Sequence, residues 1–376
     1  MLDISAEQNR LVTAAFRDEM RHIADRAAEL DEDRSFPSED IARLTAIGAL
    51  ASPFARIEDG ERPVAPEELL QGLILLGTAS LPLGRLFEGH VNAAELIRRY
   101  GTREQRERVG RDAKNGCLFG VWNTEGAEGV RLARANGHIT LLGAKTFATG
   151  AGFVDRPMIT ARDEDDRLFM VLPRLDKTAR ADLSAWRAHG MRASATGTFC
   201  FTGLVVEPDD IIGKGGDYHR QPHFSGGAWR FCAVQLGAME RLIEEARSSL
   251  RRSGRDSDPH QRARMGEALM AVETARLWTE RAANIAEADD APLPPAAENI
   301  VAYVNLARCA VERAGLDVME LVQRSIGLSA FLRTNAVERI CRDLATYLRQ
   351  PAPDRTLCEG AAYALRSDQA IGELWR

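Results

Sequence analysis

The sequence predicts an α+β protein that is mostly α. An N-terminal all-helical domain is expected over residues 1–115, a small β-barrel or sandwich over 116–222, and a C-terminal four-helix bundle over 223–376. Three observations predict this. Apolar residues recur at helical spacing on both sides of the chain's middle, with charges on the opposite face. Between those blocks the period shortens to that of strands, punctuated by turn residues. The outer blocks also carry helix caps and breakers at the ends of their periodic runs.

From Ser5 to about Asp31, the residues Leu11, Ala14, Ala15, Ile23 and Ala27 mark one face of a first helix. Ser38-Glu39-Asp40 is a start signal ahead of Ile41, Leu44 and Ile47. Pro66 fits the first turn of a helix that runs through Leu69, Leu70, Leu73 and Leu75. Two more helices are expected over Leu83 to Tyr100 and Thr102 to about Lys114, with Thr102 as the cap of the second. After Gly116, Val130 to Ala135 and His138 to Leu142 read as strands joined at the turn pair Asn136-Gly137. Pro157 to Ala161 and Leu168 to Leu172 are separated by the acidic turn Asp163-Glu164-Asp165-Asp166, and a last strand pair spans Gly197 to Val206. Several short strands with turns between them suggest a barrel or sandwich and not a βαβ sheet. A loop from Lys214 to Gly227 leads to helices over Ala228 to Arg252, His260 to Ala288, Ala296 to Gln323 and Ala336 to Arg349. The prolines within residues 289–295 break the second of these from the third. A final helix is expected over Cys358 to Asp368.

Composition excludes several classes of function. The net charge of −6 lacks the basic footprint of a nucleic-acid partner, although Arg251-Arg252 and Arg366 offer local positive charge to a phosphorylated cofactor. No apolar run approaches the roughly 20 residues of a membrane span. Met1-Leu2-Asp3-Ile4-Ser5 lacks the layout of a signal peptide, so a cytoplasmic location is expected. The six cysteines show no zinc, redox or disulfide spacing, and Cys117, Cys200, Cys232 and Cys341 read as small buried hydrophobes. No metal site is expected: His219 and His223 are four apart, but Pro222 argues against a shared helix face. Gly213-Lys214-Gly215-Gly216 lacks the spacing of a phosphate-binding loop and reads as a turn.

Motifs narrow the field further. Tyr100-Gly101-Thr102-Arg103-Glu104-Gln105 is followed by Trp122-Asn123-Thr124-Glu125, then by Phe147-Ala148-Thr149 and Gly190-Met191-Arg192. Gly203-Leu204-Val205-Val206 and Val337 to Asp343 complete the series. In this order and at these spacings the chain resembles the acyl-CoA dehydrogenase family of flavoproteins over nearly its whole length. The resemblance implies an FAD-dependent oxidoreductase that desaturates an acyl-CoA or related thioester and passes electrons to an electron-transfer acceptor. It also implies a homodimer or homotetramer in which the flavin site is completed between subunits. Flavin contacts are then expected from Trp122, Asn123, Thr124, Phe147, Ala148 and Thr149. Phe147 would wall the planar ring, and the hydroxyls of Thr124 and Thr149 would serve its polar edge. Further contacts are implied from Arg251, His260 and Gln261, and from Gln323 and Gly327 at the adenine end.

Several positions depart from the family pattern. The glycine turn that follows the Thr-Glu pair in the family, and approaches the FAD pyrophosphate, is here Gly126-Ala127-Glu128-Gly129-Val130, with a carboxylate in it. The family's Gln-x-x-Gly-Gly survives as Gln323-Arg324-Ser325-Ile326-Gly327, with Leu328 in place of the next glycine. The family's catalytic glutamate follows the Arg-Asp pair and precedes a glycine, but that position falls on Pro351. The other known location, at the start of the first C-terminal helix, holds Trp229-Arg230. Glu359-Gly360 is then the candidate general base, which must reach the α-proton from an apolar pocket. Loss of the glutamate leaves two other expectations on the same fold: a monooxygenase using reduced flavin, or a flavin-binding protein without dehydrogenase turnover. His90 lies on the helix whose family counterpart borders the acyl pocket, and reads as a core or solvated histidine.

Overall fold

The computed structural model describes residues 10–135, 137–175, 180–288 and 295–375. The helix start at Ser5, the turn residue Asn136 and the breaker at 289–294 lie outside the described residues. The protein is α+β, with helices at both ends of the chain and a mixed sheet between them.

The first helices are α1 (Ala14–Arg26), α2 (Ser38–Ala46), α3 (Pro66–Ala79), α4 (Leu81–Tyr100) and α5 (Arg103–Lys114). Their ends follow local chemistry. Thr13 caps α1 by accepting from the Phe16 N–H, and Ser80 caps α4 by accepting from Leu83. Thr102 and Gln105 form a reciprocal capping box on α5, at 3.2 and 2.8 Å. The amide of Gln105 also donates to the carbonyls of Asp209 and Ile211, which ties α5 to the β segment.

The strands are β1 (Phe119–Trp122), β2 (Glu125–Ala135), β3 (His138–Ala148), β4 (Arg156–Arg162), β5 (Leu168–Val171), β6 (Ala181–Asp182), β7 (Gly197–Cys200), β8 (Leu204–Val206) and β9 (Ile211–Ile212). They form one nine-stranded sheet in the order β6-β7-β3-β2-β4-β5-β9, with β1 added to β4 and β8 to β3. The hairpin of β2 and β3 closes with Ala135 opposite His138. Both strands run well past the expected span. β3 continues from Leu142 through the Gly143 to Ala148 motif, and β2 begins at Glu125. Cys200 is exposed and not buried, because it ends β7 on the strand's outward alternation.

The C-terminal helices are α6 (His223–Gly226), α7 (Trp229–Arg252), α8 (Pro259–Ala286), α9 (Ala297–Ile326), α10 (Ala336–Tyr347) and α11 (Pro353–Arg366). α7, α8 and α9 pack on one another, and α7 packs equally closely on α3. There the two backbones touch. A methyl group on Gly77 would lie 2.0 Å from the Val234 carbonyl, and one on Gly237 would lie 2.0 Å from that of Ile74. Thr78 donates its hydroxyl across this crossing to the Gly237 carbonyl. The last helix begins at Pro353, five residues before the expected Cys358, because Pro353 serves as its first residue. No helix among the described residues is long and apolar enough to cross a membrane.

One junction joins the three parts of the chain. Arg342 of α10 is held by Glu338 one turn back, by Asp31 after α1, and by the His189 carbonyl of the β segment. Next to it, the Met191 N–H donates to buried Asp343 at 2.6 Å, and the Gly190 N–H donates to Thr346. A methyl group on Gly190 would lie 2.1 Å from the Arg342 carbonyl, so only glycine lets this loop lie flat on α10. Burial pushes the Asp343 carboxyl up to about 6, against the pull of Met191 and Arg339.

Because the α3–α7 crossing has no room for a side chain, Gly237→Val should lower unfolding free energy by about 1–3 kcal/mol or more, read by urea denaturation. The same change at Gly266, where an added methyl group meets nothing, should leave it nearly unchanged.

Candidate functional site

Two features adjoin β1: an exposed aromatic corner on the sheet, fastened at Trp122, and a large cavity between the helices that reaches Val121. The corner arises from irregular pairing. Opposite β7, Lys145 pairs with Phe199 and Ala148 with Gly197, so β3 carries one extra residue between them. The bulge puts Phe147 in a left-handed conformation, φ 50°, with 63 % of its surface exposed. A non-glycine residue in that region costs on the order of 1–3 kcal/mol, and such strain concentrates at ligand sites. The Trp186 ring stands edge-on to Phe147, with centroids 6.4 Å apart.

The end of β1 is fastened to this corner. The Thr146 N–H donates to the Thr124 carbonyl, and the Trp122 indole donates to the Thr149 carbonyl at 2.8 Å. The Trp122 ring itself is buried against Phe199 and Phe201, and Ala148 is also buried, so neither offers its side chain to the surface. Thr124 is exposed and Thr149 half-buried, so both border the open side.

Beneath the corner lies Lys145, which is fully buried. Its ammonium donates to the Thr160 hydroxyl at 2.8 Å and to the Asn123 carbonyl at 3.2 Å, and pairs with Glu125 at 3.4 Å. Thr160 in turn donates to the Asn123 side-chain oxygen. Burial pushes the ammonium below its usual range, and Glu125 draws it back up. Lys145 thereby fixes Asn123 and the turn into Thr124. Sequence reading passed it over, although a lysine two residues on from Gly143, on the inward register of Ile139 and Leu141, is a sign of a buried charge.

The cavity measures about 550 Å³ and reaches the sheet at Val121, one residue before Trp122. Its lining combines apolar side chains such as Leu96, Val121, Phe231 and Val301 with a set of ion pairs. Arg230, at the start of α7, donates to Glu287 and to Asn92. Glu287 also accepts from Arg62 at 2.8 Å and from the Trp229 indole at 2.9 Å. Glu95 is flanked by Arg98 and Arg99; burial acts to raise its carboxyl, but Arg98, Arg99 and Arg230 hold it down to about 2. On the opposite wall, Glu359 pairs with Arg355 at 2.8 Å and its side chain is 50 % exposed. It lies in the body of α11, not at the helix start, and faces Asn305 of α9 at 3.5 Å. The candidate base therefore lines the cavity, but in wet and ion-paired surroundings and not in an apolar pocket.

The remaining expected residues lie elsewhere. Arg251 lies in the last turn of α7 and His260 in the first turn of α8, both exposed where the chain passes between those helices. Gln261 is buried beside them, with its side-chain oxygen unpartnered. Gln323 lines a separate cavity of about 330 Å³ with His189, Phe331 and Arg342, and Gly327 closes α9 at φ 82°. His219 ends a 3-10 turn while His223 begins α6, so the two share no helix face. Among the described residues no cluster of three or more histidine, cysteine or acidic side chains can hold a metal.

Comparison with known proteins agrees with this architecture. Residues 213–348 match the family model for the acyl-CoA dehydrogenase C-terminal domain. The short-chain-specific acyl-CoA dehydrogenase of Clostridium acetobutylicum is 26 % identical over 340 residues, covering 84 % of this chain and 86 % of the relative. A dibenzothiophene monooxygenase of Rhodococcus erythropolis is 24 % identical over 361 residues, covering 86 % of each. The FMN-bound TdsC of Paenibacillus sp. A11-2 superposes with a TM-score of 0.83 at 18 % identity, over 96 % of this chain and 99 % of TdsC. The match assigns residues 213–348 to the acyl-CoA dehydrogenase C-terminal domain, and the chain is similar to members of that family of flavoproteins over most of its length. Its architecture is that of the flavin-dependent enzymes of this fold.

Two buried cations or near-cations give tests. The Phe119 N–H donates to His90 Nδ1 at 3.0 Å, so Nε2 carries the ring hydrogen and donates to the Leu50 carbonyl at 2.7 Å. A second ring proton would face an N–H, and burial holds the imidazole down at about 4 instead of its usual 6.5. The unfolded chain takes up that proton first, so the stability due to neutral His90 is complete above about pH 6.5 and lost on acidification towards pH 4. Urea denaturation should show about 3 kcal/mol of this loss, with a shallower pH slope in His90→Gln. Lys145→Ala, which removes the donor to the Thr160 hydroxyl oxygen and to the Asn123 carbonyl, should cost about 1–3 kcal/mol or more in the same measurement.

Proposed function

We propose that the protein is a monooxygenase that uses reduced flavin mononucleotide and molecular oxygen on a small polar substrate. The observation that carries this reading is the set of ion pairs in the wall of the cavity that reaches the sheet at Val121. Desaturation of an acyl thioester needs an apolar channel for the chain and a carboxylate base in a dry pocket. Here the corresponding walls are Arg230–Glu287, Arg99–Glu95 and the wet Arg355–Glu359 pair.

The chain's residues fit the ring half of a flavin. The exposed, strained Phe147 with Trp186 edge-on forms a wall, and Thr124 and Thr149 border it. The pyrophosphate of FAD is less well served. Between Glu125, opposite Lys145, and Val130, opposite Gly143, β2 swells into a bulge that carries the exposed Glu128. A carboxylate there repels a diphosphate, which favours the mononucleotide over the FAD expected from the resemblance. The FMN bound by TdsC is consistent with this choice.

When bound, the reduced flavin supplies two electrons to oxygen, so that one oxygen atom enters the substrate and the other leaves as water. The chain's part is to orient and enclose. Lys145 fixes the Asn123–Thr124 turn, Phe147 walls the ring, and the helices around the cavity hold substrate at the end of β1. We propose that the protein works as a homodimer or homotetramer. The exposed apolar residues Leu269, Met270 and Leu277 on α8 support such an assembly. The division at 1–115, 116–222 and 223–376 is likewise proposed for its folding units.

Two assays test the reading. FMN titration followed by flavin fluorescence should show binding, weakened about ten-fold or more in Phe147→Ala. Anaerobic addition of acyl-CoA thioesters should leave bound flavin oxidised in both the native protein and Glu359→Gln. Bleaching by a thioester that disappears in Glu359→Gln would instead establish the dehydrogenase.

A further inference from the structure

The lining of the large cavity holds four glutamates and four arginines among the described residues. Each of those carboxylates is already engaged by a guanidinium: Glu88 by Arg85, Glu95 by Arg99, Glu287 by Arg230 and Glu359 by Arg355. Equal numbers of each sign give a charged ligand no net attraction, and breaking a buried pair to admit one is costly. What the cavity offers a ligand at its sheet end is neutral.

α4 meets β1 at Gly89, where a methyl group would lie 3.8 Å from the Val121 nitrogen. The helix therefore brings Glu88 and Asn92, one turn apart, to the place where the cavity reaches the sheet. Asn92 is locked in one orientation: its amide nitrogen donates to Glu88, and its oxygen accepts from Arg230 at 3.1 Å. These partners decide which end of the amide is which, and they leave one N–H and one carbonyl lone pair on a half-buried side chain. Tyr218, in the 3-10 turn that ends at His219, is the second neutral group. It lines the same cavity, is only 9 % exposed, and its hydroxyl has no hydrogen-bond partner among the described residues. The Phe224 ring holds it edge-on, with centroids 5.4 Å apart. Burial pushes the phenol above its usual range, so it stays a neutral donor; Arg85 and Glu88 are the charges that act on it. Glu88 is thus the neighbour of both groups. A buried hydroxyl without a partner carries a desolvation cost that a bound ligand can remove.

We propose that the substrate is a small uncharged molecule whose carboxamide group is anchored between Asn92 and Tyr218. Its carbonyl oxygen accepts from the Tyr218 hydroxyl and the remaining Asn92 N–H, and its own N–H donates to the Asn92 oxygen. This assignment rests on the proposed oxygenase reading and names the substrate class for it. Glu88 and Arg230 are positioning residues that act through Asn92. The apolar part of the lining, at Leu96, Phe231 and Val301, receives the rest of the molecule.

The test uses benzamide as the probe, with two near-isosteres: acetophenone, which keeps the carbonyl but cannot donate, and benzoate, which is charged. In titration calorimetry on the full chain, with and without FMN, benzamide should bind at least about ten-fold more tightly than either. Tyr218→Phe removes only the hydroxyl. It should weaken benzamide about five-fold or more and leave FMN affinity and the urea midpoint unchanged, because no internal partner is lost. A merely structural tyrosine would lower the urea midpoint instead. Asn92→Leu should bring benzamide down to the level of acetophenone. Equal binding of benzamide and acetophenone, tighter binding of benzoate, no benzamide binding at all, or undiminished benzamide binding in Tyr218→Phe would each overturn the proposal. FMN titration of the same samples separates the two readings. Failure to bind FMN with the benzamide preference intact removes the oxygenase and leaves the anchor standing, and FMN binding without that preference does the reverse.

Discussion

The grip of α10 on the loop at Gly190 and Met191 sets the relation between the parts of this molecule. Arg342 takes a carboxylate from its own helix, another from the segment after α1, and a carbonyl from the β segment. Asp343 beside it takes the Met191 N–H in a buried setting. Ion pairs of this kind contribute little to stability when exposed, but removing one partner from a buried set is costly. Their value here is geometric. They hold the sheet in one orientation against the bundle, with the cavity reaching the sheet at Val121 of β1.

Charge is also the organising principle of the cavity. Glu287 alone receives Arg62, Arg230 and the Trp229 indole, linking residues from three separate stretches of chain. Such a network needs every member satisfied, which makes the wall stiff and specific. The chain's named relatives include both an acyl-CoA dehydrogenase and a dibenzothiophene monooxygenase, so the fold alone does not set the chemistry.

Much of the fold was legible in local sequence. Helices α3, α5, α7 and α10 show the apolar spacing that fixes them, Asn335 caps α10, and the Thr102–Gln105 pair forms the box its residues suggest on α5. The β segment was harder. β3 runs through Gly143 and Lys145, which break apolar alternation, so the strand looks finished at Leu142. Gly190-Met191-Arg192 was visible as a motif, but its reason, backbone contact with Arg342, lies 152 residues away along the chain. The cavity was illegible for the same reason. Arg62 and Glu287 are ordinary surface residues to a reader of local pattern, and only folding brings them within 2.8 Å. Glu359 was found from its neighbour Gly360, but its ion pair with Arg355 becomes evident only once α11 is seen to begin at Pro353.

The last helix has a consequence for how such a chain can change over time. α11 rests on α9, with Gly360 packed on Leu306, and forms one wall of the cavity without belonging to the packed core of the bundle. Replacement of this terminal panel alters what the enclosure admits while α7, α8 and α9 keep their mutual fit. Exchange of this peripheral segment can therefore reshape the enclosure while the sheet corner at Phe147 keeps its geometry, and a laboratory library confined to residues 351–363 explores that freedom.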